Sequence, residues 1–173
     1  MSTDNIDVLQ INNINFINTL NAISFPTDTV TNSQDHDVLN NTFDNTGTIT
    51  PGTCPFDDNT IINSNATTNA VQITNDISAL RMTVSGYEGT AGTAALLWNV
   101  NADPNGNLDD GSFTKGTAAT HAIEFGSSAP LTMSLTDMDF SGYNASDGNN
   151  DSTFLFADRG SDVTWIVTGK QIL

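Results

Sequence analysis

The sequence predicts an all-β protein, specifically an antiparallel β-sandwich, with a jelly roll as one topology. Asp, Asn and Thr supply most of the polar content, and these residues favour turns and strands, whereas the Lys, Glu and Gln that usually cover helices are scarce. Several segments alternate apolar and polar residues with the period of two that a strand shows when one face is buried. Strands joined by polar turns are therefore expected.

Eight segments carry this strand signal. The clearest are 80–85 and 131–136, where Leu, Met or Val alternates with Arg, Thr or Ser. Segment 94–100 is more uniformly apolar, which favours a central strand. The predicted strands are 60–63, 70–74, 80–85, 94–100, 122–125, 131–136, 153–157 and 163–168.

The N-terminal part of the chain has a different pattern. Residues 60–173 predict the sandwich domain, and residues 1–59 predict an extended N-terminal arm and a loop-rich segment that packs on the core or on neighbouring subunits. Here an apolar residue recurs at every third position, which fits neither a helix nor a strand: Ile11, Ile14, Ile17, Leu20 and Ile23. We find no internal repeat of 20–50 residues.

Large apolar residues predict a core in the C-terminal two-thirds of the chain. Full burial of one such side chain stabilises a fold by roughly 1.5–3 kcal/mol. The predicted inward-facing set is Leu97, Trp98, Phe125, Phe154, Phe156 and Trp165.

The charge of the chain excludes two classes of partner. Twenty acidic residues against four basic ones give a formal net charge of −16, which repels a phosphate backbone and an anionic bilayer alike. We therefore expect neither nucleic acid nor membrane as a partner. The N-terminal residues lack the basic and apolar stretches of a secretory signal, so we expect either assembly in a cytoplasm or a signal that has been removed.

Few residues suit catalysis. Cys54 is the single cysteine and is expected to be a small half-buried side chain. His36 is interpreted as a solvated loop residue and His121 as a strand-end or interface residue. No Gly-x-Ser-x-Gly nucleophile motif or phosphate-binding glycine loop occurs, so we expect no enzymatic activity.

Oxygen-bearing side chains recur at alternate positions in segment 101–111. Ca²⁺ takes six to eight oxygen ligands, and a loop with Asp103, Asn105, Asn107 and Asp109 could wrap such an ion. The alternative is a hairpin in which Asn105 and Gly106 form the turn and the acids are solvated.

A second acidic set follows a predicted strand. On a strand Asp137 and Asp139 would project to the same face, where a cation would relieve their repulsion, and Asp151 lies in the next polar loop. Segment 131–168 thereby resembles secreted bacterial β-sandwich domains that bind Ca²⁺ at one end, and the resemblance implies calcium ligands at these residues. Solvated acids at a strand end are the alternative. A glycosidase pair is disfavoured because neither carboxyl has an apolar pocket to raise its pKa.

Two functions fit these features. The overall character resembles capsid decoration proteins of tailed phages, which implies a structural virion protein in a head or tail. Its partners would be like subunits or a major capsid protein, in a homo-oligomer or larger assembly built in the host cytoplasm. The alternative is an extracellular adhesion or carbohydrate-binding module stabilised by calcium, with three aromatic residues as candidate sugar platforms: Tyr87, Trp98 and Tyr143.

Overall fold

The computed structural model describes residues 9–24, 36–52, 54–74, 80–99, 105–118, 120–126, 131–143, 152–156 and 163–172. These residues form an all-β structure without a helix, which confirms the predicted class. The predicted antiparallel sandwich or jelly roll is wrong, because every strand pair is parallel. The chain winds as a parallel β-solenoid in which successive coils stack on one another.

Fourteen strands lie within the described residues. They are β1 (Leu9–Asn12), β2 (Asn15–Ile17), β3 (His36–Leu39), β4 (Thr42–Asp44), β5 (Phe56–Ile62), β6 (Val71–Ile73), β7 (Leu80–Tyr87), β8 (Ala94–Trp98), β9 (Asn105–Asp109), β10 (Ser112–Lys115), β11 (His121–Phe125), β12 (Leu131–Thr136), β13 (Phe154–Phe156) and β14 (Val163–Thr168).

The strands stack into three faces of the solenoid. Face 1 holds β1, β3, β9, β12, β14 and the first parts of β5 and β7. Face 2 holds β2, β4, β10 and the second parts of β5 and β7, and face 3 holds β6, β8, β11 and β13. One line of register partners on face 2 spans the described structure: Asn15, Thr42, Thr60, Thr83, Ser112, Asp139 and Ile172.

All eight predicted strand segments contain a strand of the structure, but their partners differ from the prediction. Each solenoid strand has one face toward the core and one toward solvent, so its sequence alternates as it would in a sandwich. The alternation therefore located these eight strands and the buried sides of β7 and β12, and it did not locate β1–β4, β9 or β10. It carried no information on whether neighbouring strands run parallel or antiparallel.

The N-terminal strands are part of the same stack. β3 and β4 both pair with β5, and β1 and β2 pair with β3 and β4. The expectation of no internal repeat is wrong, because each coil is a structural repeat. Its length varies from 18 residues between Thr42 and Thr60 to 33 between Asp139 and Ile172, so a search for a fixed period does not detect it.

The core runs the length of the solenoid, which corrects the prediction that it lies in the C-terminal two-thirds. Val38, Phe43 and Phe56 are fully buried members of it, together with the predicted Trp98 and Phe125. Of the other predicted core residues, Leu97, Phe154 and Trp165 are half-buried and Phe156 is exposed. Aromatic rings stack between coils, with centroids 4.9 Å apart for Phe16 and Phe43 and 5.7 Å for Phe113 and Phe140.

Residues in the left-handed conformation turn the chain from face 1 to face 2. Asn, Asp and Gly adopt positive φ at the lowest cost, so these residue types occupy the corner. The corner residues are Asn13, Asn40, Asp58, Asp110, Asp137 and Gly169, with φ between 50° and 70°. At the other end of face 2 a second set of residues also has positive φ: Asn18, Asn45, Asn63, Gly86 and Gly142.

Candidate functional site

The first predicted calcium set falls partly on a strand. Residues 105–109 form β9, which pairs in parallel with β12, so the predicted Asn105-Gly106 hairpin turn is wrong. The Asp109 side chain is exposed, and its backbone lies in register with Thr136. The structure describes the backbone but not the side chains of Asn105 and Asn107, and Asp103 lies outside the described residues.

The second set, Asp137 and Asp139, is separated by a corner. Asp137 has a φ of 50° and follows the end of β12, so the two carboxylates are not successive same-face residues of one strand. Asp137 Oδ1 accepts a hydrogen bond from Lys170 N–H at 2.7 Å. Asp139 Oδ1 accepts one from Ser141 N–H at 2.9 Å, and also one from the Ser141 hydroxyl. Each carboxylate therefore has its own donors within the chain.

Asp151 lies outside the described residues. Among the residues that are described, no group of three or more His, Cys, Asp or Glu side chains is arranged to hold a metal ion. Calcium binding stays a prediction from the sequence.

The structure also describes the two histidines and the single cysteine. His121 begins β11, as expected of a strand-end residue, and its buried Nδ1 lies 2.8 Å from the Ser152 carbonyl oxygen. Cys54 is buried rather than half-buried. His36 is the first residue of β3 rather than a loop residue.

The three aromatic candidates for sugar binding are all buried. Trp98 and Tyr87 are fully buried, and Tyr143 is nearly so. Burial raises the pKa of both tyrosine hydroxyls above their ordinary value. None of the three presents a ring to solvent, so they cannot act as exposed sugar platforms.

Arg81 forms ion pairs with two carboxylates, Asp57 and Asp58, at the corner between faces 1 and 2. Its guanidinium donates to Asp57 Oδ2 at 3.1 Å and to Asp58 Oδ2 at 3.0 Å, and it also contacts Asp58 Oδ1. Asp58 and Arg81 line a polar hollow of about 290 Å³, together with Asp110. These carboxylates raise the pKa of Arg81, first through the hydrogen bond to Asp58. The hollow is therefore an ion-pair site occupied by the chain's own cation.

A second carboxylate closes the turn after β10. Glu88 accepts hydrogen bonds from Thr117 N–H at 2.6 Å and from Ala118 N–H at 2.8 Å. The Thr117 hydroxyl adds a further donor, 3.0 Å from Glu88 Oε2. The backbone hydrogen bond from Thr117 is the main cause that lowers the pKa of Glu88. This arrangement links one coil to the next.

The ends of the solenoid expose residues that are buried in the interior coils. Val167 is 54% exposed, whereas its register partner Leu135 is 4% exposed. Phe156 is 48% exposed and its partner Phe125 is fully buried. At the other end Ile14 is 43% exposed, whereas Asn41, which holds the same position one coil on, is 1% exposed.

Every large apolar side chain that is exposed among the described residues belongs to an end. The set is Ile14, Ile17 and Leu20 at the N-terminal end, and Phe156, Ile166, Val167 and Ile172 at the C-terminal end. Ile14, Ile17 and Leu20 belong to the N-terminal pattern in which every third residue is apolar. This pattern was the sequence signal for the N-terminal part of the site. Exposed apolar patches of this kind mark association surfaces, so the two ends are the candidate functional site.

No protein-family model, curated protein or solved structure matches the chain. In the part of the chain that the structure describes, no helix is long and apolar enough to cross a membrane.

Proposed function

We propose that the protein is a non-catalytic structural component of a larger assembly and that the ends of its solenoid contact neighbouring subunits. The observation that carries this proposal is the exposure of core positions at both ends, with Val167 and Ile14 as the clearest cases. Covering such apolar surface is favourable by roughly 25 cal/mol per Å². Among the described strands, β1 and β14 each pair on one side only, so their other edges offer backbone donors and acceptors that a neighbour can pair.

The narrower proposal is a virion, with the protein in the head or tail of a phage particle and with like subunits or a major capsid protein as neighbours. It rests on the sequence: an acidic chain without a catalytic motif, similar in character to capsid decoration proteins. The solenoid supports the assembly role because its coils hydrogen-bond one another along a rigid stack.

The alternative, an extracellular calcium-stabilised adhesion or carbohydrate-binding module, receives less support. Its aromatic platforms are buried, and Asp137 and Asp139 accept hydrogen bonds from the chain itself. No observation of the described residues favours it over the assembly role.

Incorporation into native particles tests the proposal. The tagged protein is expressed in its source, and particles are separated by density-gradient centrifugation. We expect the wild type and the mid-solenoid variant Thr83→Asp to sediment with particles, and the double variant Ile14→Asp/Val167→Asp to stay in the soluble fraction. Wild-type protein that is found only in the soluble fraction would contradict the proposal.

A further inference from the structure

The described residues at the two ends of the solenoid carry almost no charge, in contrast to those of its middle. Residues 9–24 contain no Asp, Glu, Lys or Arg, and of 154–156 and 163–172 only Lys170 is charged. The ten acidic residues that the structure describes all lie between Asp37 and Asp139. Natural edge strands are commonly protected by charged side chains, and here the described edges lack that protection.

The ends also repeat the geometry of an interior junction. β1 is followed by the corner residue Asn13, and β14 is followed by the corner residue Gly169, both with positive φ. Face 2 then continues at each end, through β2 at the first and Ile172 at the last, with one residue more between Gly169 and Ile172 than between Asn13 and Asn15. A second copy placed on the C-terminal end would therefore continue face 1, the corner and face 2 in line.

One hydrogen bond between coils recurs at four of the corners. The N–H of the corner residue donates to the carbonyl of the last face 1 residue in the following coil, as in Asn13 to Leu39 at 3.2 Å and Asp110 to Thr136 at 2.9 Å. Asp137 to Thr168 repeats it at 3.2 Å. At the C-terminal end, the corner residue that continues this series is Gly169, whose N–H would be the next donor. At the N-terminal end, the matching acceptor is the carbonyl of Asn12, the last face 1 residue of the first coil.

From these relationships we infer that the protein associates head to tail with a second copy of itself, β14 of one copy pairing in parallel with β1 of the next. This inference rests on the proposed function and names its partner. Gly169 N–H donates to the Asn12 carbonyl of the next copy, and Val167 packs on Ile11. The interface is heterologous, so each copy keeps one free end and the assembly grows as a filament.

Opposed identical ends do not satisfy the same geometry. Two N-terminal ends related by a two-fold axis would place β1 against β1 in antiparallel orientation, with the faces out of line. The copies do repel one another through their net charge of −16, and salt weakens that repulsion.

Sedimentation velocity of the purified protein over a range of concentrations tests the inference. We expect wild-type protein to form oligomers of increasing length, and more so at 500 mM than at 50 mM NaCl. Ile14→Asp and Val167→Asp each place one carboxylate in a different end, and both positions are already partly exposed in the single copy. Each variant alone should associate about 100-fold or more weakly, because an unpaired charge becomes buried in the interface.

Mixing the two variants distinguishes head-to-tail association from its alternatives. Each variant keeps one intact end, and these ends are complementary, so the mixture should yield 1:1 dimers that do not grow further. Thr83→Asp adds the same charge to an exposed mid-solenoid position and should associate like the wild type. Circular dichroism and the melting temperature establish that every variant is folded.

Three results would overturn the inference: a wild-type protein that is monomeric at all concentrations, a single variant that still dimerises fully, or a mixture that stays monomeric. Incorporation into particles by a chain that is monomeric when purified would overturn the self-association and leave the proposed function standing.

Discussion

Asn41 and Asn59 form a buried amide pair on successive coils, in which a single Asn59 Oδ1 accepts from both Asn41 N–H at 3.0 Å and Asn41 Nδ2 at 3.1 Å. Asn59 Nδ2 donates onward to the Val38 carbonyl at 2.7 Å. Asn41 Oδ1 in turn accepts from Ile14 N–H. The pair thereby satisfies backbone groups at the corner and fixes the register of three coils.

Asn59→Ala is expected to destabilise the protein by about 2–4 kcal/mol, since it leaves Asn41 N–H buried without its acceptor and removes a donor to the Val38 carbonyl. Urea unfolding measures the change. Asn65→Ala is the matched control, because Asn65 is exposed and its side chain makes one hydrogen bond, to the Asn45 carbonyl. Its loss should stay below about 1 kcal/mol. Equal effects of the two substitutions would contradict the role of the buried pair.

The corner conformation predicts a graded series at Asn40, whose φ is 55° and whose side chain is exposed. Asn40→Gly should leave the free energy of unfolding within about 0.5 kcal/mol of wild type, since glycine adopts this φ readily. Asn40→Val should lower it by about 2 kcal/mol, because a β-branched residue is strained there. Thermal unfolding of both variants gives the order, and a valine variant as stable as the glycine one would refute the assignment.

Stability should fall at acidic pH through Glu88. Its pKa is lowered in the folded protein, so the contribution is fully present above the unfolded pKa of about 4.5 and is lost as pH falls through the lower folded value. Because the group is exposed, we expect an effect of only about 0.5 kcal/mol. Glu88→Gln should remove this part of the pH dependence between pH 3 and 5 and reduce stability at pH 7. A pH profile identical to wild type would show that the turn does not depend on the carboxylate.

The calcium interpretation of segment 101–111 and of Asp137, Asp139 and Asp151 predicts that EGTA lowers the melting temperature. Calcium in excess of EGTA should restore it, and magnesium should not, because the smaller ion demands a stricter octahedral site. Differential scanning calorimetry provides the measurement. A melting temperature that EGTA leaves unchanged would show that calcium does not stabilise the folded protein.

A repeat was present in the sequence in a form that a search for a fixed period does not detect. Pairs of Asn, Asp or Gly five residues apart bracket a short strand with an apolar residue in its centre, as in Asn40 to Asn45 around Phe43. The same arrangement surrounds Phe16, Ile61 and Phe140. Its units begin at Asn13, Asn40, Asp58 and Asp137, at unequal intervals, because the loops between strands vary in length while the stacked positions do not.

The sequence indicated only part of the candidate site. The sequence shows apolar residues at every third position from Ile11 to Ile23. It does not show which of them pack on the core and which are exposed. Ile11 and Ile23 pack on the core, whereas Ile14, Ile17 and Leu20 are exposed at the end of the stack. The positions of the eight strands and the inward direction of Met82, Val84, Met133 and Leu135 were predicted correctly.

Composition and alternation by themselves determined that this chain is all-β and acidic, and they determined which sides of its strands are buried. These properties are local, because propensity and side-chain period depend on neighbouring residues along the chain. Strand direction, the stacking of Asn41 on Asn59 and the exposure of Val167 were decided only in the tertiary structure. They depend on which distant segments become neighbours, and strands that are buried on one side carry the same alternation in a sandwich and in a solenoid.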